Sequence, residues 1–310
     1  MTTSVIKRIH FHEEMTWKEI DALPRDNTLV FMTIAPLQAH GPHLPVGMDS
    51  FTSQALALAT AKEFCKRKSE WHALITPHLT IGTHGFSFFG TIDCSPTIVR
   101  KTIEQWGTSL CEDGFQYIMA LSSHSGPGHI RALEDGCDRI SKKFQVDMVA
   151  PMGYKISSYF NGDYDEKIQR ISRSNDDFSY SDDIHGGKLA TSFALYLRPD
   201  LVKRGYTDLK EVHIEAGTLH AGSLIEIEDG EGYIGSPALA KAELGKAAIE
   251  SIARDFTELM FNILSGEDVS ERTHTSWGTD FLNEYSTVTV AIFGLIALVF
   301  IFLLVSLLVN

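Results

Sequence analysis

Residues 286–310 carry no charged side chain and read STVTVAIFGLIALVFIFLLVSLLVN. A run of 18 or more apolar residues is the mark of a bilayer-spanning helix. At ~1.5 Å per residue this one reaches about 37 Å, enough for a hydrocarbon core of about 30 Å with some tilt. A soluble core helix of that length would show a polar side. The rest of the chain is therefore expected to divide into a folded part, residues 1–264, and an acidic polar linker, residues 265–285, ahead of a transmembrane anchor at 286–310. The linker holds five carboxylates and one arginine, so it is read as a spacer that does not adhere to anionic headgroups.

The N-terminus, MTTSVIKRIHFHEEMTWKEI, has no apolar signal region. Cys65, Cys94, Cys111 and Cys137 show neither CxxC spacing nor scaffold density, and are read as reduced thiols. Together with the apolar tail, these features give the expectation of a single-pass membrane protein with its N-terminal domain in the cytoplasm. Neither flank of the tail is basic, so charge asymmetry does not orient it. A net charge of −13 argues against nucleic acid as a partner.

Short apolar runs at 28–36, 72–77, 115–121 and 146–151 have the composition of buried strands. Helical patterns lie at 53–68, 95–112, 189–197 and 237–264. The second has Ser95 as N-cap, Pro96 in the first turn and Gly114 beyond its end. Strands apolar on both faces, alternating with helices, predict an α/β sandwich of three layers around a mostly parallel sheet. Sites in such folds sit at the carboxyl ends of strands. The polar stretch 161–184 reads as a surface connection beside such a site.

Three histidine loops fall at those ends. Gln38-Ala39-His40-Gly41-Pro42-His43-Leu44-Pro45 runs on to Asp49 after the first predicted strand. Ser122-Ser123-His124-Ser125-Gly126-Pro127-Gly128-His129 follows the third, and Asp183-Ile184-His185-Gly186-Gly187 opens a helix. Imidazole and carboxylate on stiff Gly-Pro loops suit zinc or manganese.

These strings resemble the creatininase (creatinine amidohydrolase) family. The first loop is similar to its E-Q-H-G-P-H-L-P-x-x-x-D signature and the second to its N-G-H-G-G-N turn. Residues 88–96, FFGTIDCSP, resemble F-P-G-T-I-S-x-S-P, and HGGKLATSFALYL from His185 resembles the H-A-G-E-x-E-T-S-x-M-L-A-L helix. GYIGSP at 232–237, with Ala240 and Glu243 to Gly245, is similar to the closing G-x-x-G-D-P…A…E-x-G pattern. The likeness runs in order from about residue 15 to 262; the apolar tail lies outside it.

The resemblance implies a metal-dependent hydrolase of non-peptide C–N amide bonds in small molecules, and a homo-oligomer. It places His40, Asp49 and His124 on metal-ligand positions, with Gln38 where the family has a glutamate. His185 falls on the conserved histidine near the substrate, and Asp183 is the nearest spare carboxylate for catalysis. Ser123, Gly126, His129 and Phe89 are the expected substrate contacts. Other family glutamates correspond here to Gly126, Lys188 and Ala190. With only Asp49 left to offset cationic charge, one divalent metal is expected, zinc or else manganese, held by His40, Asp49 and His124. The alternative is a degenerate family member, a binding or scaffold protein at the membrane.

Overall fold

The strands form where neighbouring residues are apolar on both sides of the chain. A computed structural model describes residues 3–160, 183–213 and 230–275. In order its main elements are α1 (Thr3–Ile6), β1 (Ile9–Phe11), α2 (Trp17–Asp21), β2 (Thr28–Thr33), α3 (Met48–Arg67) and β3 (His72–Ile75). Then come α4 (Pro96–Glu112), β4 (Tyr117–Leu121), α5 (Pro127–Phe144), β5 (Asp147–Val149), α6 (Met152–Phe160), α7 (Lys188–Leu197) and α8 (Ala242–Leu264).

The five strands make one sheet in the order β1-β3-β2-β4-β5, and every pairing is parallel. Val30 of β2 lies opposite Leu74 of β3 on one side and Ile118 of β4 on the other. All six residues of β2 are buried, as a central strand covered on both faces requires. Leu29 and Phe31 pack with Leu56 and Phe64 of α3 and with Phe256 and Met260 of α8. Val30 and Met32 face the other way, onto Val99 and Ile103 of α4 and Leu133 and Cys137 of α5. The period of two along β2 thus separates two cores, and helices cover both faces of the sheet. This is the expected three-layer α/β arrangement.

The four expected strands are present but shorter, and β1, α1, α2, α5 and α6 were not anticipated. β1 is a three-residue edge strand, too short to show a pattern. α5 begins at Pro127, inside a Gly-Pro-Gly string that reads as a turn. α4 starts as expected, with the Ser95 hydroxyl accepting from the Ile98 N–H at 3.4 Å. The four cysteines are free thiols.

The compact unit extends to Thr275, eleven residues past 264. Thr275 N–H donates to Glu134 Oε1 of α5 at 2.8 Å, and His274 Nε2 lies 3.0 Å from Asp138 Oδ2. These bonds hold the first part of the expected linker against α5. Among the described residues no helix is long and apolar enough to cross a membrane. The expected anchor, 286–310, lies outside the described residues, as do 276–285 and most of the polar stretch, 161–182.

Candidate metal centre

The carboxyl ends of β2 and β4 lie side by side, so the loops after them meet. The loop after β2 is closed by Gln38 N–H donating to the Val46 carbonyl at 2.9 Å. Gly41 turns within it at a φ of +84°, which a side chain would strain. The loop then runs into α3, whose first turn carries Asp49, a favourable end of the helix for a negative charge. Asp49 is buried and fixed from below: the Ser123 hydroxyl donates to its backbone carbonyl at 2.9 Å, and the Ser53 hydroxyl does so at 2.7 Å.

Each oxygen of the Asp49 carboxylate faces a different imidazole. His40 Nε2 lies 3.5 Å from Oδ1, and His124 Nδ1 lies 3.4 Å from Oδ2. These separations exceed the ~2.7–2.9 Å of a charge-assisted hydrogen bond. They match the spacing of about 3.3–3.4 Å between two ligand atoms on one tetrahedral zinc, each about 2.0–2.1 Å from the metal. The tautomers are set from behind. His40 Nδ1 donates to the Gln38 carbonyl at 2.8 Å, and His124 Nε2 donates to the Thr83 carbonyl at 3.0 Å. Both imidazoles therefore turn a lone pair toward a carboxylate oxygen. Acceptor facing acceptor needs a cation between them. A proton can serve, and a divalent metal serves with twice the charge.

The other buried groups agree. Asp49 Oδ2 and Gln38 Oε1 are buried and have no hydrogen-bond partner. Burial works against the charged forms of His40 and Asp49, yet their mutual attraction wins. It holds His40 above its ordinary value, with help from the Gln38 carbonyl, and, with His124, holds Asp49 well below the usual carboxylate range. Among the described residues no three His, Cys, Asp or Glu side chains converge as a finished metal cage. The donors meet pairwise, through Asp49, and the pairwise geometry and the two orphaned oxygens fit a divalent cation.

His185 stacks on His40 with ring centroids 4.4 Å apart, and its Nε2 donates to the Ala39 carbonyl at 2.6 Å. Burial and the facing His40 push its pKa down to about 3, so it rests neutral. Phe86 packs edge-on against the same ring at 4.9 Å. Phe86 was not singled out from sequence, where nothing separates it from its aromatic neighbours.

Asp183 is buried under α7. Its Oδ1 accepts from Lys188 N–H at 2.6 Å and Ser236 N–H at 3.3 Å, and its Oδ2 accepts from Leu189 N–H at 2.8 Å. A Cβ on Gly187 would stand 1.8 Å from Oδ1, and one on Gly235 only 2.2 Å, so both positions must be glycine for the carboxylate to enter. Burial raises its pKa against the pull of these donors and of Lys188.

The expected substrate contacts divide. Ser123 lines a cavity of about 160 Å³ that opens beside His40, Asp49, His124 and His185. His129, Phe89 and Gly126 do not line it. His129 is fully buried, edge-on behind His124 at 5.1 Å, with Nε2 on the Ser122 hydroxyl. Phe89 is 84% exposed and rests on Phe88. Gly126 leaves room for a ligand's ring: a Cβ there would stand 2.4 Å from His124 Nε2. His43 ties the first loop to α7 through Thr191 at 2.8 Å.

A comparison with curated proteins finds no match. Among solved structures, a manganese creatininase superposes with a TM-score of 0.63 at 20% identity, covering 81% of this chain and 96% of that one. A mutant creatininase of zinc–zinc type gives 0.63 at 19%, covering 84% and 98%, and a further creatinine amidohydrolase gives 0.61 at 20%, covering 86% and 98%. At these identities the likeness is one of fold. The sequence itself, over residues 13–260, matches the family model described as creatininase, creatinine amidohydrolase. That span holds all three histidine loops and the whole sheet from β2 to β5, and on it the chain belongs to the creatininase family.

Proposed function

We propose that this protein is a membrane-tethered, metal-dependent hydrolase of a non-peptide amide bond in a small molecule. The observation that carries the reading is Asp49 set between two imidazoles whose lone pairs are turned toward it by backbone carbonyls. His40, Asp49 and His124 would hold one divalent cation, zinc or manganese, with the unpartnered side-chain Oε1 of Gln38 in reserve. Such a cation supplies Lewis-acid polarisation of an amide carbonyl and a more acidic water.

In the reaction, water adds its oxygen to the carbonyl carbon, the C–N bond breaks, and the nitrogen leaves with a proton from water. His185 is the proposed carrier of that proton. Its stack on His40 holds it beside the centre, within reach of the departing nitrogen. Ser123 positions Asp49, and Asp183 positions the start of α7 rather than exchanging protons, because both its oxygens are occupied.

The apolar segment 286–310 is proposed as a single-pass anchor that leaves residues 1–275 on the cytoplasmic side, and the folded unit as a homo-oligomer. Its composition supports the anchor. A second reading, a binding protein that has lost hydrolysis, draws support from the lack of a finished three-donor cage among the described residues.

The deciding experiment measures metal content and hydrolysis of an amide panel with full-length protein purified without chelators. About one zinc or manganese per chain, lost in His40→Ala, Asp49→Ala and His124→Ala, is expected together with turnover. No metal, or metal without turnover of any amide, favours the second reading. Deleting 286–310 should move the protein from the membrane pellet to the supernatant; full-length protein that washes off with salt would refute the anchor.

A further inference from the structure

The cavity beside Asp49 has walls that amide hydrolysis alone does not call for. Its inner end is polar, formed by His40, Asp49, Ser123 and His124. The remaining wall comes from four helices and is mostly apolar: Met48 and Leu56 of α3, Ile156 of α6, Ala190 and Phe193 of α7, and Ile252 of α8. Lys155 also reaches it, but is ion-paired with Asp255 of α8. Asp183 reaches it with both carboxylate oxygens already accepting from backbone. Ala190 stands where the family's E-x-E-T-S stretch carries a carboxylate, so the sequence departs from its pattern in the direction of an apolar wall.

Thr52, Ser125 and His185 also reach the cavity, but a small polar amide lying along the apolar stretch would exchange water for side chains that offer it no hydrogen bonds, which costs free energy. An alkyl chain gains from the same exchange. We propose that the site takes an amphipathic amide, its carbonyl at the Asp49 end and an aliphatic chain lying along the wall from Met48 to Ile252. The assignment of the carbonyl end rests on the hydrolase reading above; the chain-binding wall does not.

Binding of the primary n-alkyl carboxamides from acetamide to octanamide tests this without turnover. The titrations use full-length protein in detergent micelles, followed by calorimetry, with uptake by protein-free micelles subtracted. Affinity should rise about fourfold per methylene, the ratio that corresponds to ~0.8 kcal/mol per buried CH₂, until the cavity is filled. Ile252→Gln should flatten the series, and Ala190→Gln, on a half-buried position of α7, provides the same test should the first variant misfold. A flat series in the unaltered protein, or creatinine binding more tightly than hexanamide, overturns the proposal. A rising series with no hydrolysis of any amide keeps it and sinks the hydrolase reading; hydrolysis with a flat series does the reverse.

Discussion

Replacing Asp183 should loosen the wall of the site without touching His40, Asp49 or His124. α7 begins after Gly187, which has no side chain to cap it, and the Asp183 carboxylate supplies the cap from five residues upstream. In Asp183→Ala, the Lys188, Leu189 and Ser236 N–H groups lose their acceptor in a buried setting. Two short bonds to a charged oxygen are worth roughly 1.5–2 kcal/mol each, and the long one at 3.3 Å less, so the loss is about 4 kcal/mol. Asp183→Asn keeps the shape and one oxygen but turns an amide N–H toward a backbone N–H, so it should cost about half as much. At ~2–4 °C per kcal/mol for a domain of this size, the alanine variant should melt about 8–16 °C lower. Urea unfolding followed by circular dichroism gives the free energy directly, with an unchanged m value if only the native state is affected. Both variants within about 0.5 kcal/mol of the parent would refute the cap. An asparagine variant of parental stability that has lost hydrolysis would show that Asp183 takes part in the chemistry.

Gly126→Ala puts a methyl 2.4 Å from His124 Nε2 and should push the ring off Thr83, lowering zinc affinity at least about tenfold in a competition titration, a cost of ~1.4 kcal/mol; unchanged affinity would remove His124 from the ligand set. Gln38→Glu adds a charged oxygen at a buried, unpartnered position. It should tighten metal binding while slowing turnover, since a more negative ligand set makes the metal a weaker Lewis acid; no change in either would mean that Gln38 does not face the metal. Glu134 has its pKa pushed up by burial to about 7 from 4.5. Between these values the unfolded chain releases a proton that the folded one keeps, so stability falls as pH rises from about 4.5 to 7 and the penalty is complete above that. Glu134→Gln keeps an acceptor for Thr275 N–H and should stabilise the protein by roughly 2 kcal/mol at pH 8 and little at pH 4; a variant no more stable at pH 8 than at pH 4, each relative to the parent, would contradict this.

The parts of the fold that packing dictates were legible in the sequence. A strand such as TLVFMT must be covered on both sides, and Ser95-Pro96 can hardly do other than start a helix. α5 was hidden because Gly126-Pro127-Gly128 has the composition of a turn, although its glycines serve close approach: His124 and His84 occupy the space of the missing side chains. His40, Asp49 and His124 were singled out because ligand chemistry restricts residue type, and the fold brings them together pairwise. The burial of His129, the exposure of Phe89 and the capping role of Asp183 depend on where loops meet, which residue type does not encode. The substitution of Gly126 for a glutamate reads as lost charge in sequence; in space it is what admits the His124 ring.

The all-parallel order β1-β3-β2-β4-β5 also governs when the centre can exist. Leu29 pairs with Tyr117, and Asp49 and His124 lie on the segments that follow these two strands, so their contact depends on that pairing. Parallel pairing across such intervals closes long loops before any contact rewards it, and is slow. A cation that recognises only the joined loops would therefore find no partner early in folding. Its effect should appear as slower unfolding, with the folding rate nearly unchanged, so that dilution of the denatured chain into zinc restores no time lost to the sheet.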